Sequence, residues 1–296
     1  MNADFGISDQ VVFVEGKGGL PFIQVNNSKA SALISIYAAQ VLSFKPVNEA
    51  EDFMFVSDNA YFQQGKAIKG GIPICWPWFG AAAEGSGNPD HGFVRNNYWR
   101  VSAVESLLNG DTKVQLEFVD SDKTRAMWPH QFNLCLDITI SDSLTLSLVT
   151  ENRGEKSFVI TEALHAYFNV GDAAQVQVLG LEKTEYLDKT EDFVQVCQVG
   201  AVTLQQATDR IHVNAGNNLT INDPVFKRKI RISSSGNKNV VVWNPWLEGA
   251  EAMKDLESED YKNFVCVEIA NAASNIIEIL PAAAYRMVTN YRVISD

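Results

Sequence analysis

The alternation Leu134, Leu136, Ile138, Ile140, interrupted by Ser141-Asp142-Ser143 and resumed at Leu144, Leu146, Leu148, limits most tightly what this chain can fold into. Successive side chains of a strand point to opposite faces, so a period of two collects these residues on one face; a helix would scatter them. The stretch predicts an antiparallel hairpin with one buried face. Similar strand signals recur at Val11–Val14, Ser31–Phe44, Lys113–Val119, Ser157–Thr161, Ala174–Leu179, Asn218–Ile221, Ile230–Ile232, Val240–Trp243, Phe264–Ile269 and Ala284–Val293. Helical signals are few: an acidic stretch at Glu248–Leu256 and a turn near Glu49–Phe53, neither carrying a long amphipathic stripe. Many strands separated by Gly, Asn, Asp and Ser turns predict an all-β fold, a large antiparallel sandwich rather than a βα alternation.

No internal repeat and no Pro/Ser-rich linker divides the 296 residues, so we expect a single domain over 1–296. Lys and Arg number 24 against 36 Asp and Glu, and a formal net charge of −12 repels nucleic acid and anionic membranes at long range. Any phosphate must then be held by a local cationic pocket. Cys75, Cys135, Cys197 and Cys266 lie far apart with no C-x-x-C, which predicts small buried hydrophobes in a reducing compartment rather than a metal site. The first residues lack a basic region followed by an apolar stretch, and no apolar run approaches spanning length, so a cytoplasmic protein is expected.

Two segments read as a built surface. Lys69-Gly70-Gly71-Ile72-Pro73-Ile74-Cys75-Trp76-Pro77-Trp78-Phe79-Gly80 and Asp90-His91-Gly92-Phe93-Val94-Arg95-Asn96-Asn97-Tyr98-Trp99 combine glycines, prolines, aromatic rings and cations. Proline fixes φ and removes a donor, so the first can be neither one helix nor one central strand. Aromatic faces, Trp76 and Phe79 among them, supply apolar platforms, while Lys69, His91 and Arg95 supply donors to something oxygen-rich, a sugar, a phosphate or both. The Ala, Gly, Ser and Asn-rich loop Ala81–Asp90 joins the two halves, where a mobile connection would cover a bound ligand. Gly16-Lys17-Gly18-Gly19 lacks the spacing of a phosphate loop.

Four histidines are present, and His165 sits where a strand runs into a turn in TEALHAYFNVGD. Glu268 interrupts the apolar strand Phe264–Ala270, and parity places it with Phe264 and Cys266 on one face, which predicts a partly apolar cavity. Such surroundings raise a carboxyl toward general-base range, and a His beside it could donate a proton while the Glu accepts one.

These residues carry a resemblance. GGIPICWPWFG, HGFVRNNYW, TEALHAYFNVGD and FVCVEIAN, in that order, with Thr208-Asp209-Arg210 between the last two, span residues 70–271. Together they resemble the aldose 1-epimerase (mutarotase) superfamily, most closely its hexose-6-phosphate branch, the glucose-6-phosphate 1-epimerases. The resemblance implies a galactose mutarotase-like supersandwich, with the sugar on an open concave face and no metal or organic cofactor. It implies Glu268 as the general base on the anomeric hydroxyl and His165 as the general acid on the ring oxygen. It further implies His91 near the ring oxygen, Asp209 as a sugar-hydroxyl acceptor and Arg95 beside the phosphate. The family commonly has Arg before the Gly-Gly run, where this chain has Lys69, which keeps the charge without the planar fork.

Two other readings keep the fold: a mutarotase for unphosphorylated aldoses, and a carbohydrate-binding protein without turnover. The matched acid and base speak against the second. A His/Glu metal site of the cupin kind expects closely spaced histidines, and no H-x-H is present. The expected partner is a small-molecule sugar phosphate, with no nucleic acid or membrane and a monomer favoured.

Overall fold

The predicted hairpin forms the centre of one sheet. In the structure, a computed structural model that describes residues 1–294, strands Phe132–Ile140 and Leu144–Asn152 pair antiparallel with Leu136 opposite Leu148 and Ile138 opposite Leu146. All seven aliphatic residues of the alternation are buried in the main core. Each such side chain contributes ~1.5–3 kcal/mol on leaving water.

This sheet has nine strands, ordered from Val202–Thr203 at one edge through Gln177–Leu179, Asn218–Asp223, Arg228–Ser235, Ala284–Ile294 and the hairpin to Thr112–Val119 and Arg100–Ser106. A second sheet of eight strands runs Val194–Cys197, Glu185–Asp188, Thr208–Val213, Asn239–Asn244, Phe264–Asn271, Glu162–Leu164 and Ile74–Cys75, with Tyr167–Asn169 also pairing to Phe264–Asn271. Val240, Val242, Val265, Val267 and Ile269 of the second sheet share the main core with the hairpin leucines. The two sheets therefore pack face to face as a β-sandwich. The alternate residues of the second sheet, Cys75, Ala163, Ile211, Val241 and Ala270, form a separate cluster on its other face. A four-stranded sheet, Val11–Glu15 to Gln40–Pro46, completes the N-terminal region.

Several local expectations are corrected. Ser31–Phe44 is two strands, Ala30–Ser35 and Gln40–Pro46, because Ala38 and Ala39 take φ of 70° and 49° in a tight turn whose Ala38 N–H donates to Asn97 O at 2.8 Å. Ala174–Leu179 begins as a 3₁₀ turn, since the Asp172 carboxylate accepts from Ala174 N–H at 3.0 Å, and only Gln177–Leu179 is strand. The acidic helix runs Trp246–Ala252, displaced toward Pro245. Near Glu49–Phe53 the chain does turn, Glu49 N–H donating to Pro46 O at 3.0 Å, and the Asp52 carboxylate accepts from the backbone of Phe44 and Met54. A short helix at Asp122–Met127, closed by a Ser121/Thr124 capping box, gave no periodic signal. Cys75 and Cys266 are buried as expected, but Cys197 lies exposed on an edge strand and Cys135 is half-buried on the outer face of the hairpin. Among the described residues, no helix is long and apolar enough to cross a membrane.

Candidate active site

Glu268 belongs to Phe264–Asn271, buried along its whole length. As parity predicts, Phe264 and Cys266 lie with it on the face turned away from the main core. His165 stands between two short strands that both pair with this one, Leu164 opposite Ile269 and Tyr167 opposite Cys266. That break in the ladder brings His165 Nε2 to 3.3 Å from Glu268 Oε1.

The Gly/Pro/aromatic segment lies along the strand that leads to His165. Its prolines lack a donor but keep an acceptor, and the segment is held through its carbonyls: Pro73 O accepts from His165 N–H at 2.9 Å, Gly71 O from Tyr167 N–H at 2.9 Å and Pro77 O from Thr161 N–H at 3.1 Å. Gly70 takes φ of 116°, and a Cβ there would meet Phe55 O at 2.4 Å. Gly92, at φ 75°, passes so close to Trp76 that a Cβ would lie 1.8 Å from its carbonyl. Only glycine fits either place. His91 is fastened to the other end of the segment, its N–H donating to Gly80 O at 2.7 Å.

A cavity of about 230 Å³ opens above this floor. It is below the ~300–1,000 Å³ of drug-sized sites and suits a monosaccharide-sized polar ligand. A larger hollow of about 460 Å³ beside Glu151–Glu155 carries Arg153 and two glutamates but no histidine to pair with them. Lys69, Phe79, His91, Arg95, His165, Asp209 and Glu268 all line the 230 Å³ cavity. Trp76 does not. Cys75 takes the cavity-side face, so Trp76 points inward, fully buried, with Nε1 donating to Thr150 Oγ1 at 3.2 Å. Its expected role as a sugar platform is corrected to packing. Four residues that sequence reading did not single out complete the lining: Tyr167, Lys189, Trp243 and Met253. Tyr167, two residues beyond His165, shares its parity and was within reach of a pattern argument; Lys189, Trp243 and Met253 required the register and the loop paths.

Electrostatics assigns protons. Burial, then His91, Arg95 and Lys69, holds the His165 imidazole well below its ordinary range. Burial, then the charge of Asp209, holds the Glu268 carboxyl well above its own, with Lys189 and Arg95 opposing. The 3.3 Å contact is therefore a hydrogen bond sharing one proton, not a resting ion pair. His165 Nδ1 and Glu268 Oε2 are buried without a partner. Tyr167 stacks on His165 at 4.8 Å and 10° and fixes the plane of the ring. His91 is pushed down to about 3 by burial and then Arg95, so its imidazole is neutral. Its Nδ1 accepts from Gly80 N–H at 3.3 Å, which leaves Nε2 carrying the proton as a donor.

The remaining cations are held by different means. Lys69 Nζ lies 3.5 Å from Asp255 Oδ1 and 3.7 Å from Met253 Sδ, and burial pulls its ammonium below the ordinary lysine range. Arg95 Nη2 donates to Asp90 O at 3.1 Å while its Nε has no partner. Lys189 Nζ meets Asp209 Oδ2 at 2.6 Å. Among the described residues, no group of three or more His, Cys, Asp or Glu side chains is placed to hold a metal ion.

The aldose 1-epimerase family profile matches residues 21–292. An Escherichia coli K12 protein named "Putative glucose-6-phosphate 1-epimerase" is 38% identical over 255 residues, covering 86% of this chain and 84% of that protein. A Cenchrus ciliaris protein of the same name is 35% identical over 266 residues, covering 86% and 79%. Among solved structures, that of "a putative mutarotase (YeaD)" from Salmonella typhimurium superposes with a TM-score of 0.91 at 32% identity, over 99% of this chain and 96% of that one.

Proposed function

This chain belongs to the aldose 1-epimerase family and is an isomerase, and from that premise we propose that it interconverts the α and β anomers of a hexose 6-phosphate, glucose 6-phosphate first. The observation that carries the chemistry is an acid and a base 3.3 Å apart, sharing one proton on the floor of a polar cavity. An aldopyranose offers two oxygens on one carbon, the anomeric hydroxyl and the ring oxygen. With the shared proton on His165, Glu268 takes the proton of the first while His165 donates that shared proton to the second, and the C1–O5 bond breaks to give the aldehyde. Rotation about C1–C2 and reclosure return both protons along the same paths, so the pair ends as it began. Neutral His91 donates through Nε2 to ring or hydroxyl oxygens, and Asp209 accepts from a hydroxyl. Arg95 and Lys69, with Phe79 beneath the sugar, favour the phosphorylated substrate in a protein otherwise strongly acidic.

On this reading the protein works in the cytoplasm as a single-domain monomer, on a small sugar phosphate, with no metal or organic cofactor and no nucleic-acid or membrane partner. The test is NMR exchange between anomers of glucose 6-phosphate and of glucose, in the wild type and in Arg95→Ala. A charge-assisted contact contributes ~1.5–3 kcal/mol, so the variant should lose ~10–100-fold on the phosphate and little on the free sugar. Equal loss on both would leave the aldose 1-epimerase of unphosphorylated sugars as the better reading. Absence of exchange on any aldose would leave a carbohydrate-binding protein.

A further inference from the structure

Lys189 is the cavity's unassigned cation, and the fold holds it there with some care. Strand Glu185–Asp188 pairs with Thr208–Val213, Asp188 opposite Arg210, and the alternation of side chains separates four charges into two pairs. On the side away from the cavity, Asp188 accepts from Thr190 N–H at 3.0 Å and Thr190 Oγ1 at 2.6 Å, and lies 3.4 Å from Arg210 Nε, whose guanidinium sits 4.7 Å above the Tyr186 ring. Those contacts shape the 3₁₀ turn Lys189–Glu191. Asp188 is thereby engaged on that side, and on the cavity side Lys189 is bonded to Asp209, at 2.6 Å.

Asp209 and Glu268 are the two carboxyl groups lining the cavity. They lie diagonally on one face of the sheet, two strands apart, Asp209 opposite Trp243 and Trp243 opposite Cys266, two residues from Glu268. The other titratable or charged groups around Glu268 are His165 and Tyr167 from the adjoining segment, Cys266 on its own strand, Cys75 beyond them, Tyr291 from the facing sheet, and Arg95, Lys69 and His91 from the covering loops. Of all these, Asp209 alone adds negative charge against Glu268 at neutral pH, and Lys189 is the cation bonded to it. A bare Asp209 would be costly twice over, as a half-buried carboxylate without a counter-charge and as a charge that keeps the proton on Glu268.

We propose that Lys189 is a positioning residue of the anomerisation described above: it fixes Asp209 as an ionised hydroxyl acceptor and screens Glu268 from its charge, so that Glu268 stays able to take the anomeric proton. The inference rests on that reading of the site, but its first test needs no substrate. Burial already holds Asp209 above the ordinary carboxylate range, with Lys189 as the principal opposing influence.

The experiment follows the Glu268 side-chain carboxyl by ¹³C NMR through a pH titration of the sugar-free protein, its signal assigned by loss in Glu268→Gln. Lys189→Met should move the Glu268 midpoint up by ~1 unit or more, Lys189→Arg should leave it close to wild type, and Asp209→Asn should move it down. Lys189→Met combined with Asp209→Asn should return it toward wild type, because the source and its screen are removed together. With glucose 6-phosphate, Lys189→Met should lower kcat at pH 7 by ~10-fold and shift the pH profile in the same direction as the carboxyl midpoint. An unmoved Glu268 midpoint in Lys189→Met would overturn the proposal, as would a rise in KM with kcat and pH profile unchanged, which marks a simple substrate contact. If the midpoints move as expected while the wild type exchanges no anomers, the charge coupling stands and the anomerase reading falls.

Discussion

Strands Phe132–Ile140 and Phe264–Asn271 share a backbone geometry and differ in their relation to water. The first alternates without exception between buried and half-exposed residues, whereas the second is buried at all eight. In the hairpin the outward face carries Asn133, Cys135, Asp137 and Thr139, and Asp137 meets Lys113 at 3.1 Å near solvent. In the site strand the inward face joins the main core and the outward face is roofed by the loops that carry Lys69, His91, Arg95 and Lys189. A polar side chain on the roofed face has no bulk water to satisfy it, so its proton affinity and its partners are set by the protein. One strand gives stability, and the other gives chemistry.

The sharpest way to break the contrast is to remove the carboxyl on the roofed face. On the proposed mechanism Glu268→Gln keeps the shape and should slow anomer exchange by ~10²–10⁴-fold without loss of the folded state. Near-normal exchange would remove Glu268 from the chemistry. The same pair predicts the pH profile. Because His165 is depressed, its second proton arrives only well below the ordinary value of 6.5; because Glu268 is elevated, the shared proton leaves only well above 4.5. Exchange should therefore show a plateau, falling as pH drops through the depressed histidine range and again as it rises past the elevated carboxyl.

The converse substitution acts on the hairpin. Leu136→Ala removes a fully buried side chain facing Leu148 and should destabilise by ~2–5 kcal/mol. Exchange per folded molecule should stay at the wild-type rate. Denaturation midpoints and active-site-normalised rates measured on both variants separate the two roles, and a Leu136→Ala protein that is folded yet slow would show that the sandwich core transmits strain to the site.

Much of this contrast was legible before the structure. Period two fixed the hairpin and its buried face, because a strand's side-chain direction depends only on position parity. Parity also placed Glu268 with Phe264 and Cys266. What parity cannot give is which face of an isolated short strand meets which layer, and so Trp76 read as a sugar platform when Cys75 occupies that side. Nor does it give partners across a sheet. The 3.3 Å approach of His165 to Glu268 follows from a break between Leu164 and Tyr167 that only the pairing register reveals. Lys189 sits in a turn of polar residues and becomes part of the cavity only once Glu185–Asp188 is seen beside Thr208–Val213.

The smallest effect sharpens the comparison within buried strands. Glu162 lies opposite Asn271 on the site strand, 1% exposed, accepting from Asn271 Nδ2 at 3.2 Å, and burial pushes its carboxyl up to about 7. Below the unfolded value of 4.5 the group is protonated in both states and costs nothing. As pH rises from there, the unfolded chain ionises first, and stability is lost progressively until the folded carboxyl also ionises near 7. The whole penalty is at most ~3.4 kcal/mol, at about 1.36 kcal/mol per unit. Glu162→Gln keeps an oxygen for Asn271 and cannot ionise. It should match the wild type at pH 4.5 and exceed it at pH 8, in thermal or denaturant midpoint. Asp137→Asn, on the water-facing side of the hairpin beside Lys113, should show no such gain. If the advantage of Glu162→Gln failed to grow with pH, the carboxyl would have to be hydrated or paired in solution, and burial on both faces would not be what distinguishes these strands.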